Sequence, residues 1–326
     1  MEDTCFVLKC MEDTFQTAIF CCTLRAVAMV HLPWLLWLPL AGACPECLSI
    51  ESMSMVQTRL QLEPLPKPWE VYDYMTANYH KTGVYLTIKI HYAMFQILGA
   101  GGDIMGKLEY PCYYGELFPM CWNEEAPIIV FTDGFNASWN AAHPRSKPLL
   151  VAGSVRDPLE MVASAYCYHH EGKELENHLM PVSELPFLGP EEGTALTAES
   201  MLPLIESMAS IFAEPDNNTL RLKFEELTES SEGFDRGVAL WLDHYFPNHL
   251  ISMEQRSAIL EAVQEFDENR NPSSDYNMFT SLSTNHSSDP SCKQKASEAV
   301  LKIETSLLKR YQELQLRLGY PVTTAT

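Results

Sequence analysis

A short turn carrying one lysine and one glycine between a strand and a helix leaves a chain few ways to fold around it. Here the turn is Tyr79-His80-Lys81-Thr82-Gly83-Val84-Tyr85-Leu86. A strand-like run, Glu70 to Thr76, precedes it, and a helical run from Leu86 to Phe95 follows. Backbone N–H groups at such a turn point at an anion, the helix dipole favours negative charge, and the lysine adds a point charge. Taken singly the pattern is common. Its weight comes from a second half-site about 75 residues later.

Ile128-Ile129-Val130-Phe131-Thr132 is a continuous apolar run, the signature of a parallel strand buried on both faces, and it ends at Asp133-Gly134-Phe135-Asn136. The next strand, Leu149 to Val155, opens directly into Arg156-Asp157-Pro158 and a helical run to His170. Asp157 suits an N-cap and Pro158 a first helical position. Arg156 therefore stands at the C-terminal end of a strand, with Ser164 two helical turns further on. Open parallel sheets bind ligands at that end of their strands, which is also where the Lys81 turn lies. A later strand and turn run from Thr219 to Leu227.

The remainder is helical. Spacings of three and four predict helices over 198–213, 233–246, 253–267 and 292–318, with a long polar surface loop over 270–291. Gly99-Ala100-Gly101-Gly102 follows a helix instead of a strand, so it reads as a helix stop and not as a dinucleotide fingerprint. The stretch 103–126 reads as irregular. An α/β domain results, with a parallel sheet and a helical C-terminal part.

The formal charge of −21 excludes a nucleic-acid-binding surface. It also means that an anionic ligand must be held by local donors. At the N-terminus Met1-Glu2-Asp3-Thr4 recurs as Met11-Glu12-Asp13-Thr14, too short a repeat to be a structural unit. After Arg25, residues 26–43 are apolar and close on Ala-Gly-Ala, which reads as a signal peptide or signal anchor over 1–43. A linker over 44–68, ending in Pro64-Leu65-Pro66-Lys67-Pro68, leads to a domain over 69–320 and a tail over 321–326. Asn136, Asn217 and Asn285 are glycosylation sequons. Six of the ten cysteines lie beyond residue 43, and sequence alone assigns no pairing. Cys44-Pro45-Glu46-Cys47 has no second pair beside it and reads as a local disulfide or plain thiols.

The ordered set of Lys81-Thr82-Gly83, Arg156-Asp157-Pro158 with Ser164-Ala165-Tyr166-Cys167-Tyr168-His169, and Thr219 to Leu227 with its Lys223-Phe224-Glu225-Glu226-Leu227 turn resembles the P-loop sulfotransferases. These enzymes use 3′-phosphoadenosine-5′-phosphosulfate. The resemblance spans about residues 69–320 and implies a P-loop NTPase-like three-layer α/β/α fold. It implies that Lys81 contacts the bridging or leaving oxygen. The backbone of Thr82, Gly83, Val84 and Tyr85, with the Thr82 hydroxyl, would cradle the 5′-phosphate. Arg156 would grip the 3′-phosphate as a fork, helped by Ser164. No metal is implied.

Two positions depart from the family pattern. Val84 stands where a hydroxyl residue usually follows the glycine, and the C-terminal Arg-Lys-Gly contact is absent, with Asn285-His286-Ser287-Ser288 in roughly that region. A base must take the acceptor's proton. Asp133 lies where several members place one, His143 follows in the next loop, and His91 is on the first helix. His169-His170 reads as charge matching at a helix C-terminus. The expected acceptor is a hydroxyl of a glycan or small molecule, met by the variable stretches 103–126, 134–147 and 171–197. The expected location is the Golgi lumen or outside the cell, with membrane contact only through an uncleaved N-terminal anchor. A P-loop kinase would need a Gly-Lys-Ser/Thr order that the chain lacks, and a non-catalytic binding protein on the same fold is the other alternative.

Overall fold

The computed structural model describes residues 65–100, 112–115, 126–173, 182–247, 250–272 and 288–324. The expected signal segment, the Cys44–Cys47 pair, most of the 270–291 loop and the Asn285 sequon lie outside the described residues.

The described strands form one parallel five-stranded sheet in the order β2-β3-β1-β4-β5. They are β1 (Asp73–Asn78), β2 (Cys112–Gly115), β3 (Ile128–Thr132), β4 (Leu149–Val155) and β5 (Thr219–Lys223). β1 lies at the centre, with Thr76 opposite both Val130 and Ala152. Every residue of β1 and β3 is buried, which is why their sequences show apolar runs instead of alternation.

Alternate side chains enter two separate cores. Met75, Ala77, Ile129, Phe131, Val151 and Val155 face helices α4 (Pro158–His170), α5 (Pro190–Phe212), α9 (Pro290–Val300) and α10 (Thr305–Arg317). Tyr74, Ile128, Leu150, Ala152 and Leu222 face α2 (Val84–Ile97), α7 (Ser231–Tyr245) and α8 (Met253–Val263). Two helical layers enclosing a parallel sheet make the three-layer α/β/α fold expected from the sequence. The shorter helices are α1 (Pro68–Val71), α3 (Ala137–Ala142) and α6 (Phe224–Thr228).

Local chemistry accounts for the departures from the sequence expectations. β1 starts later than the predicted strand because Pro68 opens a turn of helix ahead of it. The stretch read as irregular contains β2, four residues too short to give a periodic signal, paired to β3 with Cys112 opposite Ile129. Asn136 caps α3 by accepting from the Trp139 N–H at 2.9 Å, inside a stretch read only as variable. The last predicted helix is two helices. Glu304 ends the break between them by accepting from the Leu307 N–H at 3.1 Å.

One disulfide, Cys167–Cys292, joins α4 to α9 across 125 residues of chain. A second close approach lies inside the sheet. A Cβ on Gly153 would strike the Ala77 carbonyl and come within 2.6 Å of Phe212 Cζ. Glycine is required there by space, since α5 lies directly on β4. We expect Gly153→Ala to lower unfolding free energy by about 1–3 kcal/mol, the usual cost of overpacking a filled core, measured by chemical denaturation.

Candidate functional site

Parallel pairing brings the C-terminal ends of β1, β3, β4 and β5 to one edge, and the predicted residues follow those ends. The turn after β1 is closed on itself. Thr82 donates from its backbone N–H (3.0 Å) and from its hydroxyl (2.8 Å) to the Tyr79 carbonyl, and the hydroxyl accepts from the Tyr79 N–H at 3.3 Å. The hydroxyl expected on the phosphate is therefore buried and held within the turn. Lys81 (φ 68°) and Gly83 (φ 86°) both take left-handed backbone, a conformation natural for glycine and costly for lysine. Gly83 is the N-cap of α2 and no side chain caps it.

Neighbouring strands fasten this turn. Asp133 Oδ1 accepts from the His80 N–H at 2.7 Å, and the Asp133 N–H donates to the Asn78 carbonyl at 2.9 Å. Ser154 donates to the Thr82 carbonyl. Arg156 Nη1 donates to the Lys81 carbonyl at 3.1 Å. The carbonyls of Tyr79, Lys81, Thr82 and Gly83 are thus all engaged, the last by the Thr87 N–H at 3.0 Å. What remains for the turn to offer is N–H, including the first turn of α2, whose donors have no acceptor within the helix. Val84 uses its side chain for packing beside Ile88, Tyr92 and Val130, and Tyr85 is half-buried on the next position.

Arg156 is the second anchor. Its guanidinium lies 5.0 Å from the Phe224 ring centroid, and its Nε is buried with no hydrogen-bond partner. Burial pulls its pKa below the ordinary arginine value, against Glu160, Glu225, Tyr320 and Asp157, which push it up. The same Phe224 underlies Gly83, where a Cβ would come within 2.6 Å of its ring. The third sequence motif therefore supports both others. Behind Arg156, Asp157 caps α4 by accepting from the Leu159 N–H at 2.8 Å and also accepts from Gln315 Nε2 at 2.8 Å. Glu225 accepts from the Asp157 N–H at 3.2 Å and from the Tyr320 hydroxyl at 2.8 Å.

Ser164 is buried on α4, on a stripe with Glu160 and Cys167. Glu160 accepts from Ser297 of α9 at 3.2 Å, and Cys167 is bonded to Cys292 of the same helix. Ser164, between them, is on the side that α9 covers. Lys293 of α9 is half-buried, its pKa lowered by burial and then by the Arg156 guanidinium. No motif or spacing singles it out.

The histidines hold the largest difference from expectation. The Lys81 ammonium lies 3.0 Å from the Tyr168 ring centroid. The residue before Lys81 and the residue after Tyr168 meet: His80 Nε2 and His169 Nε2 are 3.1 Å apart. His169 Nδ1 lies 2.9 Å from the Lys173 carbonyl. His169 is thus part of the site, and not merely a charge matched to a helix end. Burial lowers the His169 pKa to about 4, with Lys81 adding to the effect, and lowers that of His80 well below 6.5.

The three residues expected as bases each have structural partners. Asp133 is engaged in holding the turn through the His80 N–H. His143 stacks on Trp139 at 4.0 Å, with Nδ1 at 2.7 Å from the Trp139 carbonyl. Two residues later Arg145 pairs with Asp73 at the start of β1, so His143 stands on the return to the opposite edge of the sheet. His91 is a core histidine, hydrogen-bonded to Thr76, and burial lowers its pKa to about 3.

The fold and site define an α/β protein in which the Lys81 turn, Arg156 and the His80–His169 pair meet at the C-terminal edge of a parallel sheet. No family model matches the chain and no curated protein matches it. Among solved structures it is similar to mouse sulfotransferase SULT7A1 complexed with PAP, with 11% identity and a TM-score of 0.38, covering 78% of this chain and 88% of that one. It is also similar to retinol dehydratase in complex with androsterone and inactive cofactor PAP, with 15% identity and a TM-score of 0.38, covering 80% and 84%. Likenesses this low decide nothing about chemistry.

Histidines held neutral by burial make stability depend on acid. Below pH 6.5 the unfolded chain binds protons that folded His91 and His169 refuse until about pH 3 and 4. Stability therefore falls as pH drops from 6.5. From pH 7 to pH 5 each such histidine contributes a loss of about 2 kcal/mol. Denaturation of His91→Asn at the two pH values is expected to show a correspondingly smaller drop than wild type.

Proposed function

We propose that the chain is a sulfotransferase that moves a sulfuryl group from 3′-phosphoadenosine-5′-phosphosulfate to an acceptor hydroxyl on a glycan or small molecule. The observation that carries this is the bond from Arg156 to the Lys81 carbonyl, which joins two separate anion-binding motifs into one site. A molecule with two phosphates a ribose apart suits such a pair better than a single phosphate does.

The donor set fits the nucleotide. Gly83 leaves the turn open where a side chain would strike Phe224, and Arg156 keeps a buried Nε–H unpartnered. The bound donor supplies an activated sulfuryl group and a phosphate leaving group. Lys81 with the N–H groups of Gly83, Val84 and Tyr85 would hold the 5′ end, the Thr82 N–H being taken by the Tyr79 carbonyl, and Arg156 with Ser164 and Lys293 the 3′-phosphate. Such groups act by position and charge, which is what transfer between in-line oxygens requires. The Val84 side chain adds nothing polar, so the 5′ grip depends on backbone N–H and Lys81. Secretory routing is supported by the apolar 26–43 segment and by the Cys167–Cys292 disulfide, a bond that persists in oxidising compartments.

Thermal-shift titration tests the donor. Adenosine 3′,5′-bisphosphate is expected to raise the melting temperature, whereas ATP with Mg²⁺ is not; the opposite result would make the site that of a kinase. Arg156→Met keeps an apolar stem over Phe224 and loses the fork. It should weaken bisphosphate binding by roughly 10–150-fold, the equivalent of about 1.5–3 kcal/mol for a charge-assisted bond. Sulfur-labelled donor incubated with a panel of phenols, alcohols and sugars then identifies the acceptor class.

A further inference from the structure

We propose that His80 is the general base of the transfer and that His169 is the positioning residue that orients it. This rests on the donor reading above. Three facts of geometry carry it.

The first is the tautomer. The Lys173 carbonyl can only accept, so His169 Nδ1, 2.9 Å away, carries a hydrogen. The two Nε2 atoms 3.1 Å apart cannot both carry one. The rings are nearly parallel, at 13°, with centroids 5.1 Å apart. That separation exceeds the nitrogen separation by about two ring radii, so the rings meet edge to edge. A neutral His169 therefore accepts at Nε2, and His80 donates from its own. Neutral His80 then has its lone pair on Nδ1, which has no partner among the described residues, and the residue retains 7% of its surface exposed.

The second is position. His80 precedes Lys81, whose ammonium rests on Tyr168 beside His169, so the proton acceptor and the cation of the turn lie together at the end of α4. The third is support. Asp133 fixes the His80 backbone at 2.7 Å, and His169 fixes its ring.

The step balances. The acceptor oxygen forms a bond to sulfur, and the sulfur–oxygen bond to the 5′-phosphate breaks, its electron pair leaving with the phosphate. The acceptor proton passes to His80 Nδ1. The imidazolium that results is faced by Lys81 on the turn and by His169 at the end of α4, with Asp133 on the His80 backbone N–H and the Lys173 ammonium paired with Glu171. The Lys81 cation favours release of the proton to solvent after each cycle.

The test uses the full chain with sulfur-labelled donor and water as acceptor, alongside binding of adenosine 3′,5′-bisphosphate. His80→Gln retains an N–H toward His169 but has no basic nitrogen. It is expected to bind the bisphosphate within about twofold of wild type and to lose roughly 10²–10⁴-fold in donor hydrolysis. The acid limb of the wild-type pH–rate profile, belonging to the pair, should vanish in His80→Gln and move in His169→Gln. Added imidazole should partly restore His80→Ala. Independently of any variant, histidine nitrogen NMR of the wild type should find hydrogen on His80 Nε2 and His169 Nδ1. The inference is overturned by His80→Gln hydrolysing donor within about threefold of wild type. It is also overturned by loss of bisphosphate affinity in step with turnover, or by hydrogen on His80 Nδ1. Wild type that binds the bisphosphate yet transfers to neither water nor the acceptor panel overturns it as well, leaving the binding site standing. Wild type that does not bind the bisphosphate removes the donor reading and this inference together.

Discussion

The C-terminal edge of the sheet depends on which way one carbonyl faces. Lys81 takes a left-handed backbone, at a cost of order 1 kcal/mol for a residue with a Cβ, and its carbonyl receives the Arg156 guanidinium. Ser154 on the same strand takes the next carbonyl, and Asp133 takes the N–H of the residue before. Two neighbouring strand ends thus compensate for the strain in a single turn. With the carbonyls of Tyr79, Lys81, Thr82 and Gly83 engaged, the start of α2 presents N–H donors before any side chain is counted. Phe224 completes the arrangement from the fourth strand end, filling the space below Gly83 and Arg156 together.

That pattern also explains what could be read from the sequence. Strands buried on both faces leave apolar runs, so β3 and β4 were legible, and Asp157-Pro158 marked the start of α4 through capping chemistry. Arg156 and Lys81 were legible as a pair because a parallel sheet sends both strand ends to the same edge. His169 was not. Its meeting with His80 depends on how α4 is rotated about its axis and on where the turn ends, neither of which appears in local spacing. Asp133 and His143 were placed by chain position alone. Position put Asp133 at that edge, where it accepts from the His80 N–H, while α3, too short for a periodic signal, carried His143 away. The disulfide belongs to the same class, since pairing across 125 residues is decided by the docking of α9 on α4.

Although the chain's net charge is −21, the carboxylates nearest Arg156 have partners of their own. Asp157 accepts from the start of α4 and from Gln315, while Glu225 accepts from Asp157 and Tyr320. Glu160 accepts from Ser297. Their charge offsets part of the desolvation of Arg156, whose pKa burial nevertheless lowers. A buried guanidinium with an unpartnered Nε is costly on its own, and an anion at that atom would remove much of the cost.

One helix connects the two chemistries. Arg156 stands at the entrance to α4, whereas Tyr168 and His169 stand at its far end, about 15 Å along the axis at 1.5 Å per residue. Lys81 touches both, its carbonyl at Arg156 and its ammonium over Tyr168. An extended lysine covers part of that distance. The rest is supplied by the Tyr168 side chain, since helical side chains lean toward the N-terminus. Arg156 and the histidine pair therefore share a single rigid ruler. Cys167, on that helix between Ser164 and Tyr168, ties it to α9, so the two ends cannot shift relative to each other unless α4 itself bends.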